Sequence, residues 1–422
     1  MADKHSMEIK GSKEKALFWS TLAFFAGFAA VSAYGPVVAI LKKSMIMTPF
    51  MVGLLVAIPA LTGSILRIPF GAMADKNGGK KPILVLLCLS TFGIAGMALT
   101  FYLNPVPQIS QYYLFAFLGL LAGCGIAIFS VGVPAVSYWF PQKSQGTALA
   151  VYGGLANTAP GIFAALIPIL VVAFGIPAAY TIWFLGLLIV IFLIAFFMHD
   201  APSFQLKSKG KHADEELIKS FGQELIPSGK AVESLIHASS DNKTWILTFI
   251  YFVTFGGFIA LTSWLPIYWS QFFGFQIVLA GVLTALFSLS TSFMRVVGGP
   301  LSDRYGGKNS LIAALLLIIA GTFIMSFVST DSLALAIFGL IITAFGMGFG
   351  NASVFKLVPR FTPKNVGGSS GIVGGIGALG GFVIPLFLGN LGYNNSFLIF
   401  VVLSFVGLTL LFSSKEIRTI TK

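Results

Sequence analysis

Along this chain the hydrophobic positions fall into long unbroken runs, separated by short polar stretches with one exception. Twelve runs lie near 16–41, 49–73, 82–103, 112–136, 146–173, 177–198, 244–270, 276–300, 309–329, 332–357, 367–389 and 395–413. Each is close to or above the roughly 20 residues a helix needs to cross a hydrocarbon core ~30 Å thick. They are continuous rather than alternating, so they predict helices and not barrel strands. The exception is a long polar segment, 199–243, which divides the runs into two sets of six. The expected organisation is a tail (1–15), a six-helix bundle (16–198), a central loop (199–243), a second six-helix bundle (244–413) and a tail (414–422). Within the loop, ADEELIKSFGQEL reads equally as an amphipathic surface helix or as a plain tether.

The two sets share internal matches. LTGSILRIPFGAMADKNGGKK, moved by 228 positions, meets STSFMRVVGGPLSDRYGGKNS, so that Arg67 falls on Arg295, Gly71 on Gly299 and Asp75 on Asp303. WFPQKSQGTALAVYGG (139–154), moved by 221, meets RFTPKNVGGSSGIVGG (360–375), pairing Lys143 with Lys364. Six spans preserve orientation, so the repeats are parallel and related by an axis along the membrane normal. The fold class expected is an all-α membrane protein with twelve transmembrane helices in two parallel six-helix repeats.

Composition agrees: 56% of residues are hydrophobic and 9% charged, where a soluble chain carries about a quarter charged. The opening MADKHSMEIKGSKEK has no apolar core close behind it, so the first span is expected to direct insertion itself. Cys88 and Cys124 lie in apolar runs and imply neither a disulfide framework nor a metal site. The net charge of +12 is a matter of topology. Of 26 basic residues, 21 fall on the side of the N-terminus and only Lys42 and Lys43 on the other. By the positive-inside rule both termini are cytoplasmic, in a cell (cytoplasmic) membrane, and the excess is no nucleic-acid footprint.

Three basic residues remain inside spans: Arg67, Arg295 and Lys356. A guanidinium at the centre of a membrane helix costs at least ~2.5–3.5 kcal/mol. Arg67 precedes Asp75 by eight residues, about 12 Å of helical rise, which places it near mid-depth. Its repeat partner Arg295 should face the same central cavity. Planar guanidiniums offer paired N–H donors that match small oxyanions. Lys356 is only about a turn from Arg360 and is expected to reach the interface by snorkelling.

All fourteen acidic residues lie in termini, loops or loop signatures, and His5, His199, His212 and His237 lie in polar segments. No span holds the carboxylate or imidazole of a proton relay. A fixed dication reorients more easily with an anion between its charges, which favours exchange of one anion for another. A one-for-one swap also avoids the ~2.3 kcal/mol per 100 mV of moving one net charge. Nothing in the chain reads as a nucleotide loop, a nucleophile constellation or a metal-ligand cluster, so no enzyme, cofactor or metal is expected.

The loops GAMADKNGGKK and GPLSDRYGGKN carry Gly71, Asp75 and Gly79 in one copy and Gly299, Asp303, Arg304 and Gly307 in the other. Asp near a helix end can meet cations and helix termini, and the glycines permit a tight turn. These loops resemble the cytoplasmic signature of major facilitators. YGGLANTAPG contains Gly154 and Asn157, and GGSSGIVGGIGALGG contains Gly374, Gly375, Gly377, Gly380 and Gly381. Such glycines serve either close helix packing or backbone approach to a substrate. IYFVTFGGFIAL adds Tyr251 and Phe255 as residues bordering the cavity or as ordinary core.

Taken together, LTGSILRIPFG, STSFMRVVGGPLSDRYGG, FSVGVPAVSYWFPQKSQGTALAVYGGLAN, GFGNASVFKLVPRF, GIVGGIGALGGFVIP and YFVTFGGFIAL resemble the nitrate/nitrite porter (NarK-type) family of major facilitators. The resemblance implies that Arg67 and Arg295 clamp nitrate or nitrite, that Asn157 hydrogen-bonds it and that Tyr251 closes the ring. With the exchange argued from the fixed charges, the expectation is a monomer in the lipid bilayer that swaps nitrate and nitrite. Alternatives are a proton- or cation-coupled nitrate importer, a facilitator for another small anion, and a membrane sensor on a transporter scaffold. Ala156 and Ala159 stand where the family's pattern has glycines, which narrows the passage.

Overall fold

The computed structural model describes residues 9–209, 215–225, 231–361, 366–388 and 390–413. His5, His212, Lys364 and the tail 414–422 lie outside the described residues, as does most of the tail 1–15. Eleven helical stretches there are long and apolar enough to cross a bilayer. They are α1 (Lys13–Ser44), α2 (Pro49–Asn77), α3 (Lys80–Leu103), α4 (Ile109–Ser137), a long stretch Ser144–Phe197, α7 (Asn242–Gln271), α8 (Ile277–Tyr305), α9 (Gly307–Ser326), α10 (Leu333–Val358), α11 (Gly368–Leu386) and α12 (Asn395–Ser413).

The Ser144–Phe197 stretch has 54 residues, more than twice the number a single crossing needs. It turns at Gly175, whose φ of 83° and ψ of 165° are not helical, two residues before Pro177. It is therefore two crossings, α5 (144–174) and α6 (176–197), and the chain makes twelve.

Glycines bring helices from the two sequence halves together. A Cβ on Gly35 of α1 would lie 2.4 Å from the Ser263 carbonyl of α7. One on Gly53 of α2 would lie 2.4 Å from the Pro385 carbonyl of α11, and one on Gly281 of α8 would lie 2.3 Å from the Ala164 carbonyl of α5. Backbones this close maximise dispersion where lipid supplies no hydrophobic drive. Gly35, Gly53 and Gly281 all lie toward the face opposite Lys13, where Lys42 Nζ also donates to Gln271 Oε1 at 3.3 Å. The two halves are thus in direct contact at that face.

On the face of Lys13, the two loop signatures differ in their bonding. The Tyr138 hydroxyl donates to Asp75 Oδ1 at 2.8 Å, whereas Asp303 pairs with Lys356. The span lysine thus reaches back to the end of α8 instead of simply extending to the interface. The left-handed turns fall at Gly78 (φ 83°) and Gly306 (φ 84°), which close α2 and α8. Gly79 and Gly307 serve close packing instead: a Cβ there would meet Ala135 at 2.5 Å and Leu357 at 2.7 Å.

The central loop is more than a tether. Asp200 Oδ1 accepts from the Lys80 amide at 2.9 Å and so caps the start of α3, where Gly79 has no side chain to do it. A helix Pro202–Ser208 sets Phe204 against Tyr138, ring centroids 5.7 Å apart. Only Glu215–Ser220 of the ADEELIKSFGQEL stretch forms a helix, a single turn and a half; Ala213 and Asp214 lie outside the described residues. A further helix, Ala231–Ser239, packs on α11 and brings Leu235 to within 3.4 Å of a Cβ built on Gly371.

Two predictions follow from these contacts. A Cβ on Gly380 would lie 2.3 Å from the Phe252 carbonyl, which cannot move without disturbing α7, whereas one on Gly299 meets nothing within 4 Å. Gly380→Ala should therefore lower stability by about 1–3 kcal/mol, and Gly299→Ala should leave the thermal midpoint in detergent unchanged. Burial raises the Asp200 carboxyl above its usual range, against the opposing pull of the Lys80 and Gly79 amides. A raised folded-state pKa means that this group's contribution is greatest in acid and falls as pH rises through that pKa. Asp200→Asn keeps the cap without the charge, so its midpoint should exceed wild type increasingly from acid to neutral pH. Asp200→Ala should lose about 1 kcal/mol in acid, a deficit that narrows as pH rises because alanine carries no titrating group.

Candidate functional site

Several helices lose regular geometry at mid-span, and they do so beside the residues singled out above. α2 is interrupted at Leu66, so that Arg67 begins a new helical segment, Arg67–Asn77. The first segment of α5 ends at Ala156, Asn157 caps it, and the next begins at Ala159. In α7 a π-helical turn, Phe252–Gly256, follows Tyr251 directly. In α11 a 3-10 turn, Gly377–Leu379, follows the paired Gly374 and Gly375. Irregular backbone at this depth is sustained only where it is buried in protein or lines a cavity. α8 and α10 stay helical and present Arg295 and Phe355 from rigid rods.

The two arginines meet at the same pair of rings. Arg67 Cζ lies 5.0 Å from the Phe129 centroid and 5.1 Å from that of Phe255. Arg295 Cζ lies 5.7 Å and 5.4 Å from the same two rings, which are 6.5 Å apart. Each cation–π contact returns about 0.5–2 kcal/mol against the cost of desolvating a guanidinium. Arg67 is sealed, with 1% exposure, and its Nη1 donates to the Gly374 carbonyl of α11 at 2.7 Å. That charge-assisted bond runs between the two sequence halves. Arg295 is half-buried.

Tyr251 belongs to this cluster. Its ring stacks on Phe255 at 4.8 Å and stands edge-on to Phe355 at 5.1 Å, and it is among the ionisable groups nearest Arg67. Asn157 is buried, and its carbonyl accepts from Ser292 Oγ at 2.8 Å, three residues before Arg295 on α8. Gly153 and Gly374, equivalent in the two repeats, flank the Phe129 ring: a Cβ on either would lie 3.7 and 3.9 Å from it. Gly374 thus gives room beside Phe129 and a carbonyl to Arg67. Gly375 rests on Ile68, and Gly377, Gly380 and Gly381 are packed against Tyr251, Phe252 and Ile259 of α7. Gly154 packs on Val296. The loop residues Gly71, Asp75, Gly79, Gly299, Asp303, Arg304 and Gly307 lie along the Lys13-side ends of α2, α3, α8 and α9; Arg304 Cζ lies 5.6 Å from the Tyr305 ring centroid.

Several donors and acceptors here lack a well-formed hydrogen bond, Arg67 Nε and Nη2, Arg295 Nη1, Asn157 Oδ1 and the Tyr251 hydroxyl, although that hydroxyl lies beside the Arg67 guanidinium. Those on the two arginines and Tyr251 are N–H and O–H donors gathered about one pair of rings, with two positive charges and no carboxylate among them. Such an enclosure suits a small anion rich in acceptor oxygens. Among the described residues no cluster of His, Cys, Asp and Glu is arranged to hold a metal ion. Phe129 and Phe355 escaped the reading of the sequence, since nothing local marks them out among 42 phenylalanines.

The chain is similar to the probable nitrate transporter NarT of Staphylococcus epidermidis, 30% identical with 87% of this chain and 86% of that one covered. It is 29% identical to the probable nitrate/nitrite antiporter NarK1 of Thermus thermophilus, covering 88% and 83%. The probable nitrate/nitrite transporter NarK2 of Mycobacterium tuberculosis is 31% identical over 86% and 85%. Among solved structures, the E. coli xylose transporter XylE in a partially occluded inward-open conformation superposes with a TM-score of 0.74 at 15% identity, covering 96% and 98%. The D-xylose-proton symporter follows at 0.71 and 14%, covering 95% and 97%. These last two bear on the fold alone. The Major Facilitator Superfamily model matches residues 20–385, and with twelve crossings built as a duplicated six-helix unit the chain is an integral membrane protein of that superfamily.

Proposed function

We propose that this protein is a secondary transporter that exchanges nitrate and nitrite, with Arg67 and Arg295 clamping the anion. The observation that carries this reading is the sharing of Phe129 and Phe255 by both guanidiniums, with unpartnered donors left on each. Two like charges buried together repel, and an anion between them removes that repulsion while satisfying the donors. Tyr251 and Asn157 supply a hydroxyl and an amide around it. The names of the relatives, at 29–31% identity, support nitrate and nitrite as the anions.

The moving bodies are the bundles 16–198 and 244–413, joined by 199–243, and the tails 1–15 and 414–422 face the cytoplasm. Empty, the clamp resists reorientation because the repulsion is unrelieved; loaded, it passes through. Exchange follows from that asymmetry without a titrating group at mid-span. The loop signatures at Asp75 and Asp303 exchange their partners as the bundles rock.

In proteoliposomes, nitrate uptake should require nitrite or nitrate inside and should ignore a pH gradient. Uptake into anion-free vesicles under an inward proton gradient would establish symport instead. Arg67→Lys and Arg295→Lys should each fold normally and lose flux by about 10–100-fold, since an ammonium cannot reproduce two charge-assisted bonds. Near-normal flux in either variant rejects the clamp.

A further inference from the structure

Asn351 lies on α10 with 1% exposure, yet neither its Oδ1 nor its Nδ2 has a protein partner. Thr254, in the π-helical turn of α7, is equally buried and its hydroxyl is also unpartnered. Other buried threonines of this chain, Thr91, Thr262, Thr284 and Thr343 among them, donate to the carbonyl four residues back. Thr254 does not, and in the π-helical register its hydroxyl stays available.

The neighbours of Asn351 fix where this polar pair sits. A Cβ on Gly350 would lie 2.5 Å from Thr254 Cγ2, so α7 and α10 touch at that level. Three residues before Asn351, a Cβ on Gly348 would lie 3.0 Å from the Arg295 amide nitrogen. Four residues after it, on the same helical face, Phe355 meets Tyr251 at 5.1 Å and Phe129 at 6.3 Å. Asn351 is thus bracketed by one residue packed on the α8 backbone at Arg295 and another packed on the aromatic walls of the clamp. A buried amide with no partner costs stability, and leucine of similar shape would relieve that cost.

We infer that Asn351 and Thr254 form a second polar wall of the anion site, on the α7–α10 side, which selects planar oxyanions over spherical halides. The inference rests on the clamp reading given above. When the anion binds, the Thr254 hydroxyl, free in this structure, turns to donate to Asn351 Oδ1 and leaves the Nδ2–H donors for an oxygen of the anion held between the arginines. Directional donors reward in-plane lone pairs, which nitrate and nitrite have and chloride lacks.

The test is nitrate counterflow in proteoliposomes with wild type, Asn351→Leu, Asn351→Ser, Thr254→Val and the Leu/Val double variant, with chloride as competitor. Asn351→Leu should raise the nitrate KM about tenfold, with the maximal rate within about twofold, and chloride should compete better. Asn351→Ser, which retains a donor, should fall between. Thr254→Val should raise KM about threefold and add nothing to Asn351→Leu, because it acts through the same amide. The thermal midpoint of Asn351→Leu should equal or exceed wild type. An unchanged KM and chloride sensitivity in Asn351→Leu overturns the inference while leaving the clamp intact. A lowered midpoint makes the amide structural and overturns it too. If wild type carries neither nitrate nor nitrite, the proposed function fails and the second wall falls with it.

Discussion

Two guanidiniums held against one pair of phenylalanine rings, deep in an apolar bundle, set the terms for the rest of this structure. Arg67 is cut off from solvent and Arg295 partly so, and the rings and a carbonyl return only part of what that costs. Everything near them is arranged around that deficit. Among the described residues no carboxylate is seen against them, so the positive field is left without a partner charge. Arg67 is tied to Gly374 across the boundary between halves, and Arg295 stays half-open. The protein keeps one charge anchored and the other accessible.

Such a centre could not be lined by four regular helices with ordinary side chains. The backbone must turn aside to admit the long arginine and the flat rings, which is why α2, α5, α7 and α11 break at Leu66, Asn157, the π-helical turn and the 3-10 turn. Glycine makes the breaks compatible with tight packing. At Gly256 and Gly380 the α7 and α11 backbones come so close that a Cβ on Gly256 would stand 2.6 Å from the Gly380 Cα. The glycine-rich signature therefore does two jobs at different positions. Gly374 serves the site, whereas Gly377, Gly380 and Gly381 serve the helix seam beneath it.

Much of this was legible in the amino-acid pattern because membrane physics is strict. Twelve runs, a long polar divider and two repeat matches specify the architecture, and charges that lipid excludes stand out even singly, as Arg67 and Arg295 do. Gly175 carries no such label: its positive φ makes one long apolar stretch into two helices, which hydropathy suggested and the backbone realises. What stayed hidden depends on long-range geometry. Phe129 and Phe355 are two of many aromatics, and only the bundle shows which face the arginines. Asn351 looks like any membrane asparagine until its lack of partners is seen. The Asp75–Tyr138 bond was also beyond reach, since nothing in the loop signature names a tyrosine 63 residues away as its partner. The central loop divided: a full ADEELIKSFGQEL helix did not materialise, while Asp200 and Leu235 took structural work that composition gave no reason to assign them.

The duplicated loop signatures have diverged in how their acids are held, and this gives the two halves different sensitivities. Asp75 is restrained by a neutral phenol, an attachment indifferent to dissolved electrolyte. Asp303 is restrained by an ammonium at a half-exposed rim, where a Debye length of about 8 Å at physiological ionic strength already weakens attraction. Raising the salt on that side alone would loosen one of these two attachments and leave its twin fast, so near-copies of one loop answer their ionic surroundings differently.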